Sequence, residues 1–142
     1  MKNLLWLTCF SAALLLGAPA RAEIYVVVAS ASPLRNLTVP EVQALYMGRS
    51  RTLPTGEFAL VFNLPRDNEV RDAFLRVLTG MNPAQVNSYW SRLIFSGQTM
   101  PPQILPNEQA MVEQVKRFPG TIGYLSSQPT DAALRTVLTL KP

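Results

Sequence analysis

The sequence predicts an α/β domain, a small central mixed sheet flanked by about four helices, and three observations carry that expectation. Short β-branched runs stand towards both ends of the chain, apolar residues at helical spacing fill its middle, and Pro and Gly punctuate the segments. The order that results is strand, helix, strand, three helices, two strands, which builds one sheet with covering helices.

Each element has a local reason. Glu23 to Ala29 (EIYVVVA) is a short β-branched run and reads as a buried strand. Thr38-x-x-Glu41 with Pro40 inside it is a capping box, so a helix runs from about Val39 to Met47, with Val42, Leu45 and Tyr46 inward and Gly48 at its end. Arg49 to Gly56 (RSRTLPTG) is polar and turn-rich, a loop or hairpin tip. Phe58 to Asn63 (FALVFN) is the second strand, and Pro65 stops it.

A helix follows at once. Val70, Ala73, Phe74, Val77 and Leu78 form an apolar stripe, Asp67 or Asn68 is the cap, and Thr79-Gly80 the end. Asn82-Pro83 opens a third helix, with Val86, Tyr89, Trp90, Leu93 and Ile94 inward until Gly97. Pro101-Pro102 forces an extended crossing. Asn107 caps a fourth helix whose buried side is Met111, Val112, Val115 and Phe118, closed by Pro119-Gly120. Thr121 to Leu125 (TIGYL) reads as a strand, and Leu134 to Leu140 as a final, half-exposed one.

The first 22 of the 142 residues are expected to be a leader rather than part of this domain. Met1-Lys2-Asn3 is a positive head, Leu4 to Leu16 an apolar core, and Ala20-Arg21-Ala22 a small-x-small cleavage pattern. Cys9 makes a poor lipoprotein acceptor, because Thr8 precedes it and the apolar run continues beyond it. Cleavage after Ala22 is expected to leave one domain, residues 23 to 142, outside the cytoplasm, and its lack of disulfides is compatible with a periplasm. Lys2 and Arg21 depart with the leader, so 11 basic residues face 9 acidic ones, a net of +2. That balance is too weak to argue for nucleic acid. No later stretch reaches the 18 or so apolar residues that a membrane span requires.

Composition excludes several chemistries. The chain has no His, and its single Cys is Cys9. The expected domain therefore has no His/Cys zinc site, no Cys–His pair, no Ser–His–Asp relay and no intrachain disulfide. No P-loop, G-x-S-x-G, G-x-G-x-x-G or Ser-x-x-Lys is present. No cofactor, metal or catalytic residue is expected. Asp67, Glu69 and Asp72 cluster where negative charge offsets a helix dipole. A glycosidase-type pair stays open, since carboxylate separation cannot be read from a sequence.

Arg66 stands between a strand end and a helix N-terminus. With free N–H groups and the dipole it would make an anion site; alternatively it is a solvated Arg pairing with its own helix, where Asp67 and Glu69 compete with any anion. Arg71, one turn on, lies off the apolar stripe and either joins Arg66 or is surface. Ser30 and Ser32 follow the first strand as ligand groups or turn formers. Arg49 and Arg51 are a docking patch or a solvated tip. Tyr89 and Trp90 read as core before ligand stacking.

A set of words in order then adds to this reading. Leu37-Thr38-x-x-Glu41-Val42, Leu45-Tyr46-Met47-Gly48, Phe74-Leu75-Arg76-Val77-Leu78, Tyr89-Trp90, Gly97 with Pro101-Pro102, and Pro119-Gly120-Thr121-Ile122-Gly123-Tyr124 span about Val26 to Ser126. Together they resemble the phosphate ABC transporter type of periplasmic substrate-binding protein. The resemblance implies a type 2 periplasmic-binding-protein-like fold and a binding role without catalysis, with a phosphate-like small anion as ligand.

Two departures bound what carries over. Family members close two lobes on the ligand, whereas residues 23 to 142 match one lobe. The family's Arg is followed by Ser-Gly-Thr; here Arg66 is followed by Asp67-Asn68-Glu69-Val70-Arg71-Asp72, and Leu53 stands where a Trp is common. Arg66 is the one ligand-binding residue that the resemblance carries over; Asn68 is expected beside it from its position near the helix start. Expected partners are a small anion and an ABC permease or envelope protein. The alternative is an envelope interaction or structural module that keeps the lobe as scaffold without its ligand site. A homodimer is a further expectation, because a lone lobe exposes the surface that its partner lobe covers.

Overall fold

A computed structural model describes residues 22–142. The expected leader, including Cys9 and Ala20, lies outside the described residues; only Ala22 of it is described, and it is exposed. The elements are β1 (Ile24–Ala29), α1 (Val39–Tyr46), β2 (Leu60–Asn63), α2 (Glu69–Thr79), α3 (Pro83–Phe95), β3 (Gln103–Ile104), α4 (Glu108–Arg117), β4 (Thr121–Leu125) and β5 (Leu134–Leu140). The α/β expectation of a mixed sheet with four helices therefore holds, with one strand more than the sequence predicts. That strand, β3, comes directly after Pro101-Pro102, which hold the chain extended long enough to pair two residues with β2.

The sheet order is β3-β2-β4-β1-β5. β2 runs parallel to both β3 and β4, while β1 is antiparallel to β4 and β5. β4 sits in the middle, and all five of its residues are buried. Its Gly123 is where α4 comes closest: a Cβ built there would lie 2.5 Å from Met111 Sδ and 3.1 Å from Val115 Cγ2. Over β2 and β4 lies an aromatic cluster. Phe74 of α2 stacks on Tyr124 with ring centroids 3.9 Å apart, and Tyr46 of α1 meets both edge-on. Each buried ring contributes about 2–3 kcal/mol by leaving water, and the Tyr46 hydroxyl donates to Phe62 O at 2.8 Å.

Helix starts follow the sequence rules. Thr38 and Glu41 form the capping box, Asn82 and Gln85 form another, and Asn68 and Asn107 cap α2 and α4. Helix faces are less obedient. Ile94 is 49 % exposed and Phe118 is 47 % exposed, so neither joins the buried stripe expected of it. Ile94 stands in the last turn of α3, and Phe118 is the extended residue that caps α4, so each lies at a helix end. On α2 the buried residues are Arg71, Phe74, Leu75 and Leu78, a stripe rotated from the one predicted through Val70 and Val77. Arg71 is therefore an interior residue, not a surface one.

Candidate functional site

β2, β3 and β4 are parallel, so their carboxyl ends meet at one edge of the sheet. From that edge β2 leads into α2 and β3 into α4, which brings two helix N-termini together. This is where open α/β sheets hold ligands. The helix donors there are largely occupied. Asn68 Oδ1 accepts from Val70 N at 2.9 Å and Arg71 N at 3.2 Å. Asn107 Oδ1 accepts from Ala110 N, and the Glu108 carboxylate accepts from the Ser126 amide and hydroxyl at the end of β4.

Beneath the edge lies a buried polar group of three. Asn63, at the end of β2, accepts through Oδ1 from the Tyr124 hydroxyl and from Leu64 N. Leu64 N also donates to the Tyr124 hydroxyl at 3.1 Å. Burial pushes the Tyr124 phenol well above its ordinary range; the Leu64 amide and the positive charge of Arg71 oppose that shift but do not cancel it. The phenol is thus neutral and a donor at physiological pH.

Arg71 is the exceptional residue. It faces inward one turn ahead of Phe74 and is only 5 % exposed, yet Nε and Nη1 have no hydrogen-bond partner. Asp72 Oδ1 is also buried and unpartnered, and no ion pair among the described residues joins the two. An unpaired buried charge costs several kcal/mol after relaxation, so the guanidinium is an unmet demand for an acceptor. A shallow cleft of about 560 Å³ opens between the first turns of α2, the start of β1 and Pro142, lined by Glu23, Ile24, Glu69, Val70, Ala73 and Ser126 among others; Arg71 is not one of its walls.

The residues singled out by sequence separate accordingly. Arg66 is exposed on the loop between β2 and α2, and Asn68 is half-buried as the α2 cap, so both stand at this edge. Asp67 and Glu69 are exposed on either side of the cap. Ser30 and Ser32 lie at the opposite edge, because β1 runs against β4. Their loop is a structural fixture: Ser30 Oγ donates to Ala132 O, Ser32 Oγ accepts from Leu34 N, and the Arg135 guanidinium donates to the carbonyls of Ser30, Ser32 and Leu34 at 2.9–3.0 Å. Of the pair Tyr89 and Trp90, Trp90 is core and the Tyr89 hydroxyl donates to Met47 O at 2.6 Å. Sequence reasoning missed Arg71 as an interior group. The available signal was that Arg71, Phe74, Leu75 and Leu78 also fall at i, i+3, i+4 and i+7.

No family model and no curated protein matches the sequence. Solved structures do share the fold. One is a protein from Clostridium perfringens with bound phosphate, assigned to phosphate ABC transporter substrate-binding proteins: TM-score 0.65, 19 % identity, covering 82 % of this chain and 45 % of that one. Another is an ABC-type phosphate transport receptor from Vibrio cholerae, with TM-score 0.62, 16 % identity, and coverage of 82 % and 46 %. A third, a candidate phosphate-binding protein from Planctomyces limnophilus, gives TM-score 0.54 at 14 % identity, covering 85 % of this chain and 54 % of that one. The chain therefore spans about half the length of the structures it resembles and has the α/β fold of periplasmic substrate-binding proteins over that half.

Proposed function

We propose that this chain, with the fold of half a phosphate-type receptor, is an exported, non-enzymatic recognition domain that binds a phosphate-like small anion for transport or sensing. In this reading residues 1–22 are a signal peptide cut after Ala22, and residues 23–142 act as a single lobe in the periplasm. An ABC permease or an envelope protein is the partner it serves. Among the described residues no helix is long and apolar enough to cross a membrane.

The observation that carries the anion reading is Arg71, a buried residue of the first turn of α2 whose guanidinium nitrogens Nε and Nη1 have no hydrogen-bond partner. An oxyanion supplies the missing acceptors, and Arg66 at the rim adds a second positive charge on the approach. Asn68 contributes by holding the first turn of α2 in place; its own acceptor oxygen is committed to backbone.

Isothermal titration with inorganic phosphate, sulfate and small carboxylates tests this. The expected result is saturable heat with at least one of them, abolished by Arg71→Leu and weakened about fivefold or less by Arg66→Ala, whose charge is exposed. No heat with any of these anions overturns the reading. Intact mass of the exported protein tests the leader: the expected chain begins at Glu23.

A second reading, an interaction module on the same scaffold, is favoured by a different observation. Phe58, Phe95, Met100 and Ile104 are all more than half exposed. Under this reading a periplasmic partner is captured equally by the protein and by its Arg71→Leu variant, with or without anion.

A further inference from the structure

The outer edge of β2 is covered in two separate pieces. Before the strand, the Arg49 to Gly56 tip folds back, pairing Thr52 with Phe58 and accepting the Ala59 amide at Arg51 O. After it, β3 pairs only Phe62 and Asn63. Between these pieces Leu60 and Val61 have β4 on one side and, on the other, a groove of about 450 Å³. Met100, Pro101 and Pro102 form its far wall, and prolines offer no backbone donor.

The groove is apolar and basic at once. Phe58 is 64 % and Met100 79 % exposed, and Leu60 is also exposed. Arg51 lines it, and Arg49 stands exposed two residues earlier. Neither arginine has an ion pair among the described residues, and no acidic residue lines the groove. Glu57, beside Phe58, is not a wall residue and accepts from the Thr55 hydroxyl. Exposed apolar surface of this kind, rimmed by one sign of charge, marks a contact for a complementary partner.

Charge selects the occupant. A second copy docked about a two-fold axis sets Arg49 and Arg51 of one copy near those of the other, which like-charge repulsion opposes. A lipid surface is broad and flat, whereas this is a concavity between two chain segments, of a size for side chains. We propose that the groove docks an extended acidic and apolar segment of a partner protein, its apolar side chain against Leu60 and Met100 and its carboxylates on Arg51 and Arg49. The groove runs along the outer edge of β2 from Phe58 to Phe62, and neither Arg71 nor any other residue of α2 lines it, so this inference stands independently of the anion reading.

Fluorescence anisotropy with a fluorescein-labelled heptapeptide alternating Glu and Val, against a Lys and Val counterpart, tests it. The acidic peptide is expected to bind at least about tenfold more tightly, with the advantage shrinking at about 0.5 M salt as the exposed charges are screened. Arg51→Glu, on an exposed loop, is expected to reverse the preference, and Met100→Lys to weaken both peptides. Saturating phosphate leaves the acidic peptide bound, and Arg51→Glu keeps any phosphate heat that the unaltered protein shows. Equal affinity for the two peptides, or no binding of either, overturns the proposal. So does binding to anionic phosphatidylglycerol vesicles with no peptide binding, or a concentration-dependent dimer that abolishes peptide binding.

Discussion

At Arg71 one residue sets binding against stability. A buried charge without a partner carries a desolvation cost of about several kcal/mol, and even buried ion pairs can be replaced by apolar side chains with no loss or with a gain of about 1–4 kcal/mol. Arg71→Leu is therefore expected to raise unfolding free energy in urea while removing phosphate heat. A destabilised Arg71→Leu protein contradicts the view that the guanidinium lacks an acceptor in the free protein. Buried phenols make a second prediction. Burial, chiefly, holds both Tyr46 and Tyr124 above the ordinary tyrosine range. Above about pH 10 the unfolded chain releases these protons and the folded one retains them, so the contribution is present below that pH and lost as pH rises. Unfolding free energy is expected to fall above about pH 10, less steeply in Tyr124→Phe; equal slopes in the two proteins refute the assignment. Neither group announces itself in sequence. Tyr124 stands in an ordinary strand word, and Arg71 breaks an apolar stripe whose competitor, through Val70 and Val77, contains no charge.

Among the elements, helix starts were legible and helix faces only partly so. Capping depends on residues three apart, so Thr38, Asn68, Asn82 and Asn107 declare themselves locally. Which side of a helix turns inward depends on what packs against it along its length, and Ile94 and Phe118, at helix ends, stay exposed. β3 escapes a sequence reading because two residues carry no periodicity; only the neighbouring β2 makes them a strand. Close packing at β4 yields a test. Gly123→Ala places a methyl group against Met111 and Val115, and overpacking of this kind costs about 1–3 kcal/mol. Urea unfolding should report that loss, and Gly123→Ala combined with Met111→Val should recover part of it. A Gly123→Ala protein as stable as the unaltered one shows that α4 is not held at this distance.

For the molecule as a whole, one sheet with a continuous core predicts one cooperative unit. The aromatic cluster ties α1 and α2 to β4, while β1 and β5 complete the far side of the sheet. Residues 23–142 contain a single tryptophan, Trp90, which is buried beside Gly48. A protein beginning at Glu23 is expected to unfold in urea with coincident transitions by circular dichroism and Trp90 fluorescence; separated transitions contradict a single core. By itself the sequence determined the α/β class, four helix starts and a composition without His, because capping and periodicity act over a few neighbouring residues and composition needs no structure at all. Only the tertiary structure decided that Ser30 and Ser32 are tied to Arg135, that Arg66 and Asn68 share an edge with a buried Arg71, and that Arg51 borders a groove. Those facts depend on strand order and direction, which join segments far apart in the chain through pairing that no local pattern encodes.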